Sequence, residues 1–121
     1  MKIVYMSLTG QTKKFVHKLE MDLLEITPTN PYIFIEEPFI AVVPTYEIEA
    51  TEIMNDFIET GSNLSYFKGV AGGGNLNFGK LFAFTAKDLA EKYDVPLLHT
   101  FEFQGNEEDV RKLKRAVKEL G

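Results

Sequence analysis

The chain has 121 residues, no cysteine and a formal charge of −5 at neutral pH. This length suits one domain with a real hydrophobic core, and the content of 45% hydrophobic and 26% charged residues is typical of a globular protein in water. The lack of cysteine excludes disulfides, thiolate metal sites, iron–sulfur clusters and cysteine nucleophiles. The acidic balance argues against a nucleic-acid partner, because nucleic-acid binding depends on basic surface.

No targeting or membrane-spanning segment is visible in the sequence. No apolar run approaches the roughly 20 residues needed to cross a bilayer, and the first strand begins at Met1 without a signal-peptide pattern. No repeat, linker or low-complexity segment divides the chain. We therefore expect a cytoplasmic protein with no membrane partner, organised as one domain over residues 1–121.

A strand followed by a helix opens the chain. Residues 1–6 are apolar and rich in strand formers, and Phe15, Val16 and Leu19 then recur at helical spacing. Residues 7–12 therefore form a strand-to-helix turn. At such a junction the first helix amides have no partner within the helix and the helix dipole is positive, so backbone N–H groups can hold an anion.

Hydroxyl side chains dominate this turn. Ser7, Thr9 and Thr12 offer donors, Gly10 allows close approach to the backbone, and no positive charge precedes Lys13. The turn contains one glycine, which excludes the Walker and dinucleotide-binding glycine patterns. Two interpretations remain open on these residues alone: a phosphate held by amides and hydroxyls, or an ordinary helix N-cap by Thr9 or Thr12.

Strand and helix signals alternate along the rest of the chain. Short apolar runs predict further strands at 23–26, 32–35, 39–43, 67–74 and 97–103. The first two of these either pair with each other at a sheet edge or form one broken strand. Residues 44–50 are predicted as a loop. Amphipathic stretches predict further helices, the first capped by Thr51 and ended by Gly61, the last capped by Asn106: 51–60, 80–93 and 107–120.

This alternation predicts an α/β protein with a doubly wound, five-stranded parallel sheet of strand order 2-1-3-4-5 in three α/β/α layers. Such sheets bind ligands beyond the carboxyl ends of their strands, where the strand order reverses. We therefore expect the site to lie at three loops: residues 7–12, 44–50 and 72–79.

Glycine and asparagine make the third loop, residues 72–79, the most informative stretch. Glycines let the backbone pass close to a flat or bulky group, and Asn75 and Asn77 offer donors and acceptors together. A planar, polar heterocycle fits such a loop, with Tyr46 and Phe78 as candidate stacking faces. A flexible turn whose Phe78 packs in the core remains the alternative.

Four motifs are specific when they are taken together. They are Ser-x-Thr-Gly-x-Thr at 7–12, Gly-Asn-Leu-Asn-Phe-Gly at 74–79, Tyr-x-Val-Pro-Leu-Leu at 93–98, and Phe-Glu-Phe-Gln-Gly at 101–105 followed by Asp109-Val110. This set resembles the NrdI family, the flavodoxin-like flavoproteins that accompany class Ib ribonucleotide reductase. The resemblance covers essentially the whole chain and implies a flavodoxin-like fold that binds FMN.

The resemblance also implies which residues bind FMN. The first loop would hold the phosphate, and the other two would line opposite sides of the isoalloxazine ring. In that order, the residues are Ser7, Leu8, Thr9, Gly10, Gln11 and Thr12; Thr45 and Tyr46; Gly74, Asn75, Asn77, Phe78 and Gly79. No side chain is implied as an acid–base catalyst, because the cofactor carries the chemistry and the protein positions it.

A reaction and its partners follow from the same resemblance. Electrons would enter FMN from a reductant of unknown identity, and the reduced flavin would react with dioxygen. The resulting superoxide-type oxidant would pass to the dimanganese site of the class Ib ribonucleotide reductase small subunit, where the tyrosyl radical forms. Two alternatives stay open: a flavodoxin-type electron shuttle, which would strongly stabilise the one-electron-reduced flavin, and a flavin-free binding module on the same fold.

Two positions depart from the family pattern. Leu76 replaces the usual basic residue between the asparagines, which is expected to lower the flavin potential or to change partner docking. Residues 44–50 contain no glycine, whereas many flavodoxin-like proteins flip a glycine peptide there toward the reduced flavin. Because a flip to positive φ without glycine costs on the order of 1 kcal/mol, we predict weak or modest accumulation of the one-electron-reduced flavin.

The remaining titratable residues favour structural or solvated roles. His17 lies on the first helix beside lysines and His99 in the last strand, so a metal site is not expected. Glu47, Glu49 and Glu52 form a run beside the predicted flavin edge. They are interpreted as a solvated loop or as a rim where charge governs partner encounter.

Overall fold

The computed structural model describes residues 1–45 and 48–120, and it describes only the backbone of residues 48–51, 78, 80 and 81. A parallel sheet contains β1 Lys2–Tyr5, β2 Leu23–Glu25, β3 Phe39–Val43, β4 Phe67–Gly74 and β5 Leu97–Glu102. Its strand order is β2-β1-β3-β4-β5, which confirms the predicted doubly wound topology.

Helices cover both faces of this sheet. They are α1 Gln11–His17, α2 Ile48–Ile58, α3 Asn63–Tyr66, α4 Phe84–Tyr93 and α5 Glu107–Glu119, with a 3-10 segment at Leu76–Leu81. Within residues 1–45 and 48–120, no helix combines the length and the apolar character that a membrane crossing requires.

Alternate residues of the central strands face opposite layers, because successive side chains of a strand point to opposite faces. Val4 and Ala41 belong to a buried cluster with residues of α2 and α4. Ile3 and Ile40 belong to a second cluster with residues of α1 and α5. All of Phe39–Val43 is buried, as its continuous apolar run predicts for a central strand.

The predicted strand at 32–35 is wrong. Residues 26–38 connect β2 to β3 without a helix or a strand. Within this connection, Ile33 and Ile35 pack beside α2, whereas Tyr32 and Phe34 are 70% and 71% exposed. The alternation of inward and outward side chains resembles that of a strand, but no neighbouring strand supplies the backbone partners. We call residues 31–38 the strap.

Asn63 anchors the strap. Its side chain is fully buried, and its Oδ1 accepts a hydrogen bond from the Ile35 N–H at 2.8 Å. Its Nδ2 donates to the carbonyl oxygens of Ile33 and Phe57, both at 2.8 Å. One side chain therefore replaces the backbone pairing that a strand would have supplied, and it joins the strap to the end of α2.

Two helix boundaries also differ from prediction. The second helix begins at Ile48, so Thr51 lies inside it and does not cap it. The helix predicted from residue 80 begins at Phe84, because Gly79 (φ 57°, ψ −118°) and Ala83 (φ 55°) interrupt helical geometry. Asn106 caps the last helix as predicted, and it exchanges hydrogen bonds with Asp109 in a capping box.

The Tyr93 hydroxyl links α4 to α2 on one face of the sheet. Its single proton is donated to the Glu59 carboxylate, and the Asn55 Oδ1 lies 3.2 Å from the hydroxyl oxygen. Burial, and then the neighbouring Glu59 carboxylate, raise the pKa of Tyr93 above its ordinary value near 10. The hydrogen bond from Tyr93 in turn lowers the pKa of Glu59.

Tyr93→Phe is therefore expected to remove a late-ionising phenol from the alkaline titration. Because the pKa is raised in the folded state, its contribution to stability is fully present below pH 10 and is lost as the pH rises beyond that value. Absorbance at about 295 nm monitors tyrosinate. Tyr5→Phe is a second test, since burial and Glu25 raise the pKa of Tyr5 as well, and it should also reduce the late phase. A late phase of full amplitude in Tyr93→Phe would contradict the assignment.

Candidate functional site

The carboxyl ends of the three central strands meet along one edge of the sheet. Strand β1 pairs with β3, and β3 pairs with β4, all in parallel. The loops that follow these strands therefore lie side by side. They contain the residues that the sequence singles out as the cofactor site.

Ser7 organises the first loop. Its Oγ accepts hydrogen bonds from the N–H groups of Gly10 at 3.1 Å and Lys13 at 3.3 Å. Gly10 occupies the N-cap position of α1 with a left-handed φ of 91°. The alternative of an N-cap by Thr9 or Thr12 is therefore wrong, because Ser7 supplies the capping oxygen from outside the helix.

The other residues of this loop keep their polar groups available. Thr9 and Gln11 are exposed, and Leu8 is 42% exposed. Thr12 is only 2% exposed. A Cβ at Gly10 would meet nothing within 4 Å. Open space, backbone and hydroxyls at one turn fit a phosphate bound without a lysine.

Thr45 connects the second loop to the third. Its hydroxyl donates to the carbonyl oxygen of Gly73 at 2.7 Å. A Cβ at Gly74 would lie 2.9 Å from the Ala83 nitrogen and 3.2 Å from the Thr45 Oγ1, so close packing requires glycine there. Thr45 thus fixes the two loops relative to one another. Tyr46 lies outside the described residues.

The third loop begins with a turn that is capped from within. The Asn75 Oδ1 accepts a hydrogen bond from the Asn77 N–H at 2.9 Å, while the Asn77 side chain is exposed. Gly79 has a φ of 57°, and a Cβ there would meet nothing within 4 Å. The Phe78 side chain is outside the described part of the chain. The stacking roles of Tyr46 and Phe78 therefore stay predictions.

Two residues beyond the predicted set contact the third loop from the end of β5. The Glu102 Oε1 accepts a hydrogen bond from the Leu76 N–H at 3.3 Å. Phe103 donates its N–H to the Gly74 carbonyl at 3.0 Å, adopts a φ of 53° and is 51% exposed. The sequence reads as strand through residue 103. In the structure, the strand ends at Glu102, and Phe103 turns away from it in a left-handed conformation, which the sequence pattern does not indicate.

The two histidines lie outside the three loops. Of the three glutamates, only Glu52 has a described side chain. The His99 Nε2 lies 2.8 Å from the Asp109 Oδ1, which confirms a satisfied strand residue, and His17 is exposed. Among the side chains that the structure describes, no three His, Cys, Asp or Glu groups are placed to hold a metal ion. Glu52 is exposed, whereas Glu47 and the Glu49 side chain are not described.

A family model described as "NrdI Flavodoxin like" matches residues 3–115. The chain belongs to the NrdI family. This confirms the resemblance carried by the four motifs. The family is one of FMN-binding, flavodoxin-like redox proteins that are tied to ribonucleotide reductase.

Curated NrdI proteins align with nearly the whole chain. Protein NrdI of Bartonella henselae (strain Houston 1) is 36% identical over 120 residues, which cover 95% of this chain and 91% of that protein. Protein NrdI of Bartonella tribocorum is 37% identical over 128 residues, which cover 98% and 97%.

Solved flavodoxins share the NrdI fold seen here. A short-chain flavodoxin associated with a non-canonical PDU bacterial microcompartment matches with a TM-score of 0.67 at 19% identity, covering 98% of this chain and 94% of that chain. Oxidised flavodoxin 2 from Bacillus cereus matches with a TM-score of 0.66 at 19% identity, covering 96% and 94%. These likenesses confirm the flavodoxin-like architecture.

Proposed function

We propose that this NrdI-family chain binds FMN at the carboxyl edge of its sheet and supplies a superoxide-type oxidant to a class Ib ribonucleotide reductase small subunit. The oxidant would serve to assemble the dimanganese-tyrosyl radical cofactor of that subunit. The observation that best supports this proposal is the open, hydroxyl-lined turn at residues 7–12. The family model that matches residues 3–115 supports it as well. Residues 1–121 act as one domain in this proposal.

The first loop holds the phosphate in this proposal. The exposed Thr9 offers one hydroxyl to the phosphate, and Thr12, a residue that is 2% exposed, offers a second. Gly10 leaves the space above the turn open. Ser7 stays engaged with the amides of the turn and shapes it. Neutral donors and backbone amides thus bind the phosphate, as the helix N-terminus favours.

The second and third loops hold the ring on its two sides. In this proposal, Thr45 and Tyr46 would line one side of the ring and residues 74–79 the other. The hydrogen bond from the Thr45 hydroxyl to the Gly73 carbonyl supports this assignment, because it couples the two walls. Two loops that are already joined by a hydrogen bond hold a planar group in one orientation. They also lower the entropic cost of ordering the site when the ligand binds.

Bound at this edge, FMN would supply one-electron transfer from its reduced form to dioxygen, and superoxide would be the product. In the described part of this edge, several apolar side chains are exposed. Leu8, Leu76 and Phe103 are 42%, 58% and 51% exposed, and all follow carboxyl ends of strands. Such apolar side chains at the rim suit contact with another protein.

The proposal predicts a definite redox behaviour. The FMN-loaded protein is titrated with reductant without oxygen while its visible absorbance is followed, and air is then admitted with a superoxide probe present. We expect little one-electron-reduced flavin, and superoxide on reoxidation. We also expect tyrosyl radical, measured by electron paramagnetic resonance, when the reduced protein, Mn²⁺, dioxygen and the metal-free small subunit are mixed.

Thr12→Val tests the phosphate site, because it removes one hydroxyl and keeps the branched shape of the side chain. FMN affinity should fall about tenfold, as expected for a lost hydrogen bond to a charged group, and the radical yield at limiting FMN should fall with it. Strong accumulation of the one-electron-reduced flavin without radical formation would favour the electron shuttle. Failure of the wild type to bind FMN would overturn both functions.

A further inference from the structure

The end of β5 contacts the third loop at two successive residues. The Glu102 Oε1 accepts a hydrogen bond from the Leu76 N–H at 3.3 Å. Glu102 also sits opposite Gly74 in the register of β4 and β5, and Phe103 donates its N–H to the Gly74 carbonyl at 3.0 Å. Both the last residue of β4 and the turn that follows it are therefore held from β5.

The Leu76 amide depends on this carboxylate for its position. The Leu76 side chain is 58% exposed, so packing does little to fix the residue. The Asn75 side chain is already engaged with the Asn77 N–H at 2.9 Å. Further along, Gly79 has no side chain to pack. Among the described contacts, Glu102 supplies the hydrogen bond that reaches this turn from another strand.

We propose that Glu102 is a positioning residue for the cofactor loop. Its carboxylate holds the Leu76 N–H and so keeps residues 74–79 in the conformation that FMN needs. The inference rests on the proposed function, since FMN is the ligand that this loop would receive. The physical reason is preorganisation: a loop that is ordered before binding spends less of the binding free energy on its own ordering.

Two substitutions separate the hydrogen bond from the charge. Glu102→Ala removes the acceptor and should weaken FMN binding about tenfold, which is the usual scale of one hydrogen bond to a carboxylate. Glu102→Gln removes the charge but keeps an oxygen acceptor, so its affinity should stay within about twofold of the wild type. Glu119→Ala is the matched control, because Glu119 is an exposed carboxylate at the far end of α5.

Two measurements decide the question. The first is the dissociation constant of FMN, from quenching of flavin fluorescence. The second is hydrogen exchange at the Leu76 amide in the flavin-free protein, followed by nuclear magnetic resonance. In Glu102→Ala this amide should exchange about tenfold faster than in the wild type, and in Glu102→Gln it should be close to the wild type.

The outcomes distinguish this inference from the proposed function. If the wild type does not bind FMN, the proposed function fails, while the exchange rate of Leu76 still tests the hydrogen bond. If the wild type and Glu102→Ala bind FMN equally well, the positioning role is overturned. The role is also overturned if Glu102→Gln is as weak as Glu102→Ala, since the acceptor would then not be what holds the loop.

Discussion

Asn63→Ala is expected to lower the free energy of unfolding by about 3 kcal/mol or more, because each buried polar group left without a partner costs about 1–3 kcal/mol. The substitution removes the partner of the Ile35 N–H and of the Ile33 carbonyl oxygen, each at 2.8 Å, whereas the Phe57 carbonyl oxygen keeps its hydrogen bond from the Thr60 N–H at 3.1 Å. It also leaves a small cavity at a fully buried position. Equilibrium unfolding in urea, followed by circular dichroism, measures the loss.

Two further variants test the anchoring role of Asn63. Asn63→Asp keeps the oxygen that faces the Ile35 N–H, but it turns a second oxygen toward two carbonyl oxygens. It should therefore be at least as damaging as alanine. Ser62→Ala is the neutral control, because Ser62 is exposed and its side chain makes no capping bond, and its effect should stay within about 0.5 kcal/mol. A loss below about 1 kcal/mol in Asn63→Ala would refute the anchor.

Gly72→Ala is expected to destabilise the fold by about 2–3 kcal/mol through overpacking. Gly72 lies in β4 directly beneath α4, and an added Cβ would overlap the Cβ of Ala86. Relief requires α4 to move away from the sheet. Because the Ala83 nitrogen just before α4 packs against Gly74, this movement also displaces the third loop, so FMN binding should weaken as well. Thermal unfolding and flavin titration measure the two effects.

The Ala86→Gly variant provides an internal rescue. Alone it should cost about 1 kcal/mol, the usual cost of glycine within a helix. Combined with Gly72→Ala it removes the overlapping atom. The double variant should therefore be more stable than Gly72→Ala, with a coupling of about 1 kcal/mol or more. Simple additivity of the two losses would show that the Cβ overlap is not the cause.

Much of the fold follows from local patterns in the sequence. The continuous apolar run at 39–43 predicts a central strand because both of its faces are covered. Asn106, the acidic residues after it and the late basic residues predict the limits of α5 within a residue or two. The alternation of strands and helices then restricts the topology, since parallel strands need right-handed crossovers.

The failures have separate physical causes. The strap has the alternation of a strand, yet its hydrogen bonds come from Asn63, which lies 28 residues beyond Ile35 in sequence. The start of α4 depends on the left-handed conformation of Ala83, which no propensity favours. Thr51 is a good capping residue, but α2 begins three residues before it, at Ile48.

The candidate site was predictable as a set of loops and not as a set of contacts. Hydroxyls and glycines at strand ends point to residues 7–12 and 72–79 without any coordinates. The contacts themselves are visible only in the three-dimensional structure. They are the hydrogen bonds of Ser7 within the first loop, of Thr45 with Gly73, and of Glu102 with Leu76. The last two join segments whose approach is set by the register of the sheet, and a single sequence does not reveal that register.

The anchoring of the strap has an evolutionary consequence. Asn63 binds the strap through the backbone atoms of Ile33 and Ile35, which every amino acid except proline provides in the same form. The hydrogen bonds of Asn63 to the strap therefore do not depend on the outward side chains of Tyr32 and Phe34. Natural selection can therefore change Tyr32, and the surface that it presents, without loosening the connection that closes this face of the sheet, whereas the Phe34 ring also packs against Gly61.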